Sequence, residues 1–262
     1  MNPDERRIKI LELIKDQNND IGELAKILNT SIPTIYRDIR TLLKKNKIKK
    51  NYNDIKIIDD IEENYKNIII TKLGQRIEQS KIEKISIAKE AAKLVNTGDN
   101  IILDESSTSY YLAKELKNRG IPITIITNSV LIPQEFLENN LVRIINTGGI
   151  LDSEVGGFVG TFSENSLKDL HAKIFFFSAA GISEEKGVMD AYFPEIIRMK
   201  KIFLTISDEA ILLADSSKFN KKGILNWAQW DNINKLIIDS KTDKAIIQNL
   251  YNKGIKVLVS KE

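Results

Sequence analysis

Apolar residues near the start of the chain recur at helical spacing. Between Pro3 and Asn18, Ile8, Leu11 and Ile14 repeat, with Ile10 and Leu13 beside them, and predict a first helix. Pro3 suits its first turn, where a missing N–H is no loss. "DIGELAKIL" predicts a short second helix capped by Asp20, with Leu24, Ala25 and Leu28 turned inward. After the turn "NTS", Ser31 can cap a third helix that carries Pro33 in its first turn. There Ile35, Ile39 and Leu42 form a buried stripe, and the opposite face shows Thr34, Tyr36, Arg37 and Arg40. "IKKNYNDIKII" then reads as a short hairpin around Asn51–Asp54.

Farther on the period changes. A mixed stretch, 59–80, reads as a linker between an N-terminal domain, 1–58, and a larger one, 81–262. A helix over 82–95 follows, stopped near Gly98. Strand "NIILD" leads to helix 108–118, strand "ITIITN" to helix 129–139, and strand "LVRIINTGG" to a Gly-rich loop. A helix near 163–170, strand "KIFFFSAAG", helix 195–206, strands "AILLAD" and "KLIIDS", helix 242–252 and strand "IKVLVS" complete the alternation. The expected fold class is α/β: a winged helix-turn-helix, then a domain built on a mostly parallel sheet.

Composition narrows the classes. With 262 residues, 42% apolar and 29% charged, the chain has enough apolar material for a sizeable core. No apolar run approaches the length of a membrane span, and the first residues lack the apolar core of a signal peptide. The absence of cysteine excludes disulfides and thiolate metal sites and suits a reducing cytoplasm. The net charge of +3 divides unevenly, because residues 1–58 hold 13 Lys and Arg against 8 Asp and Glu. That leaves +5 on the first fifth of the chain and −2 on the rest. "KKNKIKK" (44–50) places five lysines in seven residues, including Lys49 and Lys50, at the base of the hairpin. A basic small domain, a second short helix after a tight turn and a basic wing point to double-stranded DNA as partner.

In the larger domain, polar or Gly-bearing residues gather where strands end. Asp104 to Thr108 follow the first strand, Thr127-Asn128 the second and Thr147-Gly148-Gly149 the third. Ser178 to Gly181 follow the fourth, and Asp215-Ser216-Ser217-Lys218 a later one. The carboxyl ends of parallel strands are where such sheets bind ligands. Hydroxyls, backbone N–H groups and a cation there suit a phosphorylated polyol. No cofactor is expected, and no spacing of His with acids marks a metal site.

The N-terminal stretch resembles the DNA-binding domain of DeoR-type bacterial transcription regulators. The resemblance rests on Arg6-Arg7, Glu23-Leu24-Ala25 and "TIYRDI". Tyr36 stands where the family usually has Arg, and "NYND" replaces the customary Gly-Gly wing tip. Tyr cannot make the bidentate guanine contact of Arg, which implies an unusual operator. The remainder resembles the DeoR-type sensor domain through "KISIAKEAAKLVNTGDNIILDESSTS", "TIITNS", "INTGGILDSEVGGFVG", "FFSAAGISEEKGVMD" and "ADSSKF", in family order. This implies a fold similar to ribose-5-phosphate isomerase, a sugar-phosphate effector and a homo-oligomer. Carried over, the ligand role falls on Asp104, Ser106, Ser107, Thr108, Asn128, Gly148, Gly149, Gly181 and Lys218. The DNA-binding role falls on Ser31, Pro33, Thr34, Tyr36, Arg37, Arg40, Lys49 and Lys50.

One departure bears on the ligand site. The family pattern after the first sensor strand is Asp-x-Gly, and this chain has Ser106 in the Gly position. Gly allows positive φ and close approach to an anion, so Ser106 is expected to reshape the loop. Glu105, if turned inward, would repel a phosphate. The acidic Asp-Gly-Ala-Asp cluster of the related isomerases is missing, "SAAGIS" standing at the fourth strand end, and His171 has no nucleophile to activate. The expected function is a repressor of a sugar-utilisation operon rather than an enzyme. The alternatives are a sugar-phosphate isomerase or deaminase with a DNA-binding appendage, and a regulator that has lost its small ligand. Trp227 and Trp230 read as packing residues, and Glu195 with Lys200 as a surface pair, with a place in the crevice lining as the alternative.

Overall fold

The computed structural model describes residues 2–15, 20–44, 48–51, 54–57, 73–190, 193–219, 221 and 223–261. They fall into two units, Met1–Thr71 and Lys72–Glu262.

The first unit contains α1 (Pro3–Lys15), α2 (Ile21–Ile27) and α3 (Ile32–Lys44), then β1 (Ile48–Asn51) paired antiparallel with β2 (Asp54–Ile57). Asp20 caps α2 by accepting the Glu23 amide at 2.8 Å. The expected inward residues Leu24, Ala25, Leu28, Ile35, Ile39 and Leu42 are all buried. The first helix differs in phase: Ile10 and Ile14 enter the core, whereas Ile8 is 58% exposed. The Arg6 and Arg7 Nε–H groups donate to Asp38 of α3 at 2.6 and 3.0 Å. Positions 6, 7, 10 and 14 share one helical face, so docking the arginines turns Ile8 away. Residues 52–53 at the hairpin tip lie outside the described residues.

The second unit begins with a short helix, 73–78 (α4), and α5 (Lys81–Ala92). The expected linker, 59–80, overlaps this unit at its end, for Leu73 is buried and the Tyr111 hydroxyl donates to the Ile77 carbonyl at 3.2 Å. Residues 59–72 lie outside the described residues. Then come β3 (Asn100–Leu103), α6 (Ser107–Arg119), β4 (Ile123–Thr127), β5 (Val142–Asn146), β6 (Ile150–Asp152), β7 (Gly157–Val159) and α7 (Thr161–Asn165). The chain continues through β8 (Ala172–Phe177), β9 (Gly181–Ser183), β10 (Gly187–Asp190), α8 (Pro194–Thr205), β11 (Ser207–Ala214), β12 (Leu225–Ala228), β13 (Lys235–Ile238), α9 (Lys244–Asn252) and β14 (Val257–Val259).

Seven strands form one sheet in the order β14-β13-β11-β8-β3-β4-β5, with every neighbouring pair parallel. Side chains alternate across it. Phe175 and Phe177 join a core with Ile196, Met199 and Phe203 of α8 and Leu250 of α9. Ile174 and Phe176 join the opposite core with Ile87 and Ala91 of α5 and Leu112 and Leu116 of α6. The unit is thus an α/β/α sandwich around a β-branched and aromatic sheet.

Three short features depart from expectation. Helix 129–139 is replaced by a 3₁₀ turn, Ile132–Phe136, because Ser129 bridges Gly157 and Pro133 cannot donate inside a longer helix. The Gly-rich loop is the antiparallel β6–β7 hairpin, and the helix near 163–170 is the shorter, earlier α7. Strands β9, β10 and β12 form a small antiparallel sheet. Trp227 of β12 packs edge-on against Phe177, with ring centroids 5.5 Å apart. The Trp230 indole N–H donates to the Glu184 carbonyl at 3.0 Å, so both tryptophans serve packing.

Candidate functional site

The first unit presents α3. Its apolar stripe fixes the rotation and leaves Pro33, Tyr36, Arg37 and Arg40 exposed, with Thr34 half-buried. The Ser31 hydroxyl lies 2.8 Å from that of Thr34, while its contact with the Thr34 amide is long at 3.4 Å. Asp38, between Arg37 and Ile39, is buried on the two α1 arginines. The acid of "TIYRDI" therefore anchors α3, while Tyr36, Arg37 and Arg40 face outward. Lys49 and Lys50 lie in β1, but their side chains fall outside the described residues.

In the second unit the strand order reverses between β3 and β8. The chain runs from β3 to β4 and β5 on one side, and from β8 to β11, β13 and β14 on the other. Diverging connections leave a crevice beyond the carboxyl ends of such strands. A cavity of about 410 Å³ lies there, lined by Glu105, Ser106 and Ser107 after β3 and by Ser178 after β8. Lys200 of α8, Asp190 of β10, Lys218 of the turn after β11, Arg76 of α4, Gln75, Gln79 and Glu154 also line it.

Asp104 joins the two central strands and is fully enclosed. One carboxylate oxygen accepts from the Ser106 amide (3.1 Å), the Ser106 hydroxyl (2.5 Å) and the Ser109 hydroxyl (2.6 Å). The other accepts from the Ser178 amide at 3.0 Å. Ser106 caps α6 with φ −70° and ψ 150°, its oxygen accepting the Ser109 amide at 3.2 Å. The turn thus needs no left-handed residue, and serine fits where the family pattern has glycine.

Lys200 stands among the carboxylates of the site. It is 3% exposed, and its Nζ donates to the Ser178 carbonyl at 2.9 Å and to Asp190 at 3.0 Å. Asp104 and Glu105 lie 3.5 and 3.7 Å away. Burial opposes its charge, but these three carboxylates outweigh burial and raise its pKa above the ordinary lysine range. The expected surface pair with Glu195 is absent: Glu195 lies 3.6 Å from Arg198 instead. Lys200 occupies the inward face set by Ile196, Met199 and Phe203, a spacing visible in the sequence.

Glu105 does turn inward, buried with its Oε2 accepting from Asn128 Nδ2 at 3.1 Å. Burial pushes its carboxyl above the usual range, the Lys200 ammonium opposes this, and Asp104 adds to it. Its repulsion of an anion is therefore partly cancelled within the protein. Gly157 makes room for it, since a Cβ there would sit 2.9 Å from that of Glu105. Burial also lowers the pKa of Lys218, with Asp215 opposing and Lys221 adding.

Of the nine residues expected to hold a ligand, Ser106, Ser107 and Lys218 line the cavity. Asp104 and Thr108 lie enclosed behind that turn, and Asn128 is enclosed behind Glu105. Gly148 and Gly149 have φ of 59° and 109° at the base of the β6–β7 hairpin. A Cβ on Gly149 would collide with Ser163 Oγ, and one on Gly181 with the Lys221 carbonyl. These two glycines serve close backbone approach. Lys200 takes the crevice-lining alternative rather than the surface pair, and Arg76 and Asp190 line the cavity without a sequence signal that marked them.

Two family models match the chain. A DeoR-like helix-turn-helix domain covers residues 6–60, and the DeoR C terminal sensor domain covers residues 79–240. The chain belongs to the DeoR family. It is similar to the uncharacterized HTH-type transcriptional regulator YulB of Bacillus subtilis, 34% identical over 97% of this chain and 95% of that protein. It is also similar to the HTH-type transcriptional regulator GolR of Listeria innocua, 33% identical over 99% of this chain and all (100%) of that protein. The L-fucose operon activator of Escherichia coli is 29% identical over 90% of this chain and 95% of its own. Among solved structures, ribose 5-phosphate isomerase A of Methanocaldococcus jannaschii overlaps 52% of this chain and 53% of its own, with 20% identity and a TM-score of 0.38.

As a DeoR-family transcription regulator, the chain pairs a DNA-reading unit with a sensor unit. No described helix is long and apolar enough to cross a membrane.

Proposed function

We propose that this regulator represses a sugar-utilisation operon and that a phosphorylated sugar in the β3–β8 cavity modulates its affinity for the operator. One observation carries the ligand half of this reading. The cavity lies at the strand-order reversal and brings the α6 N-terminal turn, Ser106 and Ser107, together with the Lys218 ammonium. Helix N-termini favour anions, and lysine supplies a charge-assisted partner. The Glu105, Asp190 and Lys200 side gives acceptors and a donor for hydroxyls. Asp104 sets the shape of the turn, since the protein's own donors fill its oxygens.

The α3 face supports the DNA half: Arg37, Arg40 and Tyr36 face outward from an anchored helix on the basic part of the chain. Homo-oligomerisation follows from the same physics, because one small head buries little DNA surface and paired heads match palindromic sites. The reading assigns no catalytic step; Glu105, the cavity acid of raised pKa, is held by Lys200 and Asn128.

A thermal-shift screen of the full chain against sugar monophosphates tests the sensor. A ligand at 100 times its dissociation constant stabilises by about 2.7 kcal/mol. No shift with any of them favours a regulator that has lost its small ligand, and turnover of ribose 5-phosphate or an amino-sugar phosphate would establish an enzyme instead.

A further inference from the structure

Helix α4 (73–78) is fastened to the sensor unit at several points, and it carries one cavity residue whose bonding is incomplete. Leu73 fills the hollow at Gly156, whose φ is +73° and where a Cβ would collide with the Leu73 side chain. Tyr111 holds the Ile77 carbonyl at 3.2 Å. The buried Lys84 of α5 donates to the carbonyls of Arg76 and Gln79, the latter at 2.6 Å. These contacts fix the backbone on either side of Arg76.

The Arg76 guanidinium, in the cavity wall, donates to the Val155 carbonyl at 2.6 Å. Its Nε–H is enclosed and meets no acceptor among the described residues. Burial lowers the pKa of Lys84 to about 8, Asp215 opposing, and Lys218 and Arg76 each lower it further. Burial lowers the pKa of Lys218 too; Asp215 and Asp190 oppose this, and Lys221 and Arg76 add to it. Arg76 and Lys218 thus both line the cavity, together with Glu154, whose neighbour Val155 accepts from Arg76. An arginine with spare N–H groups beside a lysine matches the oxygens of a phosphomonoester better than either cation alone.

We infer that Arg76 binds the phosphate of the effector together with Lys218 and the Ser106–Ser107 turn, and that this contact makes helix α4 the element of the sensor unit that registers occupancy. The inference rests on the sugar-phosphate reading given above. α4 stands at the start of the sensor unit, just after the segment joining it to the DNA-reading unit. A ligand shifts a conformational equilibrium only through differential contacts, and Arg76 supplies such a contact on α4.

The test uses the full chain, as wild type, Arg76→Gln and Arg76→Lys, with a panel of sugar monophosphates, the unphosphorylated parent sugars and inorganic phosphate. Calorimetry is expected to show that Arg76→Gln weakens binding of the responding monophosphate by about tenfold to a hundredfold, the worth of one charge-assisted hydrogen bond. Affinity for the parent sugar should stay unchanged. Arg76→Lys, which keeps the charge, should recover part of the loss and guards against a misfolded glutamine variant. Hydrogen exchange over 73–80 should slow on ligand binding in wild type and not in Arg76→Gln. If Arg76→Gln binds the monophosphate as wild type does and shows the same protection, the Arg76 role is wrong while the sugar-phosphate reading stands. If wild type binds neither a monophosphate nor inorganic phosphate, that reading fails and this inference with it.

Discussion

Ser106 occupies the position where the DeoR-family pattern has glycine, yet its φ of −70° is ordinary and its hydroxyl is tied to Asp104 and Ser109. The substitution changes a backbone freedom into a cap. Ser106→Gly loses both the cap and the hydroxyl's bond to the enclosed Asp104, so it should cost about 1.5–3 kcal/mol and leave sugar-phosphate binding intact. A clear loss of affinity in that variant would show the hydroxyl to be a ligand contact. Lys200 carries a larger role. Removing it strands Asp104, Asp190 and Glu105 together, so Lys200→Met should lower stability by about 3–5 kcal/mol in urea unfolding. A loss below about 1 kcal/mol would mean that the carboxylates relax or protonate at little cost. Lys84 gives a signed pH dependence. With its pKa lowered to about 8, the folded chain releases a proton that the unfolded chain keeps up to about 10.4. In that window the unfolded state binds more protons, so this residue makes stability rise with pH; below about 8 its slope vanishes. Unfolding of wild type and Lys84→Met across that range should show the difference moving toward wild type, and a flat difference would contradict it.

At the scale of elements, strong periodicity and buried apolar runs were readable, and short elements outside the main sheet were not. The α3 stripe Ile35, Ile39 and Leu42, the strands around Ile101 and Phe175, and helix α8 are buried enough to impress a pattern on the sequence. Strands β6, β7, β9, β10 and β12 lie outside the seven-stranded sheet and mix polar or Gly residues with apolar ones, whereas the equally short β3 and β13 show as Ile and Leu runs buried within that sheet. The phase of α1 depended on Arg6 and Arg7 meeting Asp38, a tertiary contact that apolar spacing alone does not reveal. The strand ends were legible as a ligand-facing edge, but which polar residues look into the cavity was decided by neighbours. Asp104 turned inward to protein donors, and Lys200 arrived from α8. Two variants probe these devices. Gly149→Ala combines a φ of 109° with a collision at Ser163 and should unfold the β6–β7 region, seen as lost hydrogen-exchange protection there; unchanged protection would sink the packing role. Asp38→Ala should destabilise the head by about 1.5–3 kcal/mol, as expected for charge-assisted bonds lost from a buried acid.

For the whole molecule, charge follows function: residues 1–58 carry a net +5, whereas residues 81–262, with 23 Lys and Arg against 23 Asp and Glu, carry none. The DNA-reading unit should therefore dominate nonspecific affinity through phosphate neutralisation, and α3 should supply selectivity. Arg37→Ala is expected to weaken specific binding, whereas Lys49→Ala should weaken all DNA alike and make the salt dependence shallower. The most direct measurement is a fluorescence-anisotropy titration of the DNA upstream of the protein's own gene, against scrambled DNA, at several salt concentrations with and without sugar monophosphates. The account predicts tighter binding to the upstream DNA, a steep loss of affinity with salt, and a change in operator affinity caused by one phosphorylated sugar but not by its unphosphorylated parent. Equal affinity for upstream and scrambled DNA would contradict it.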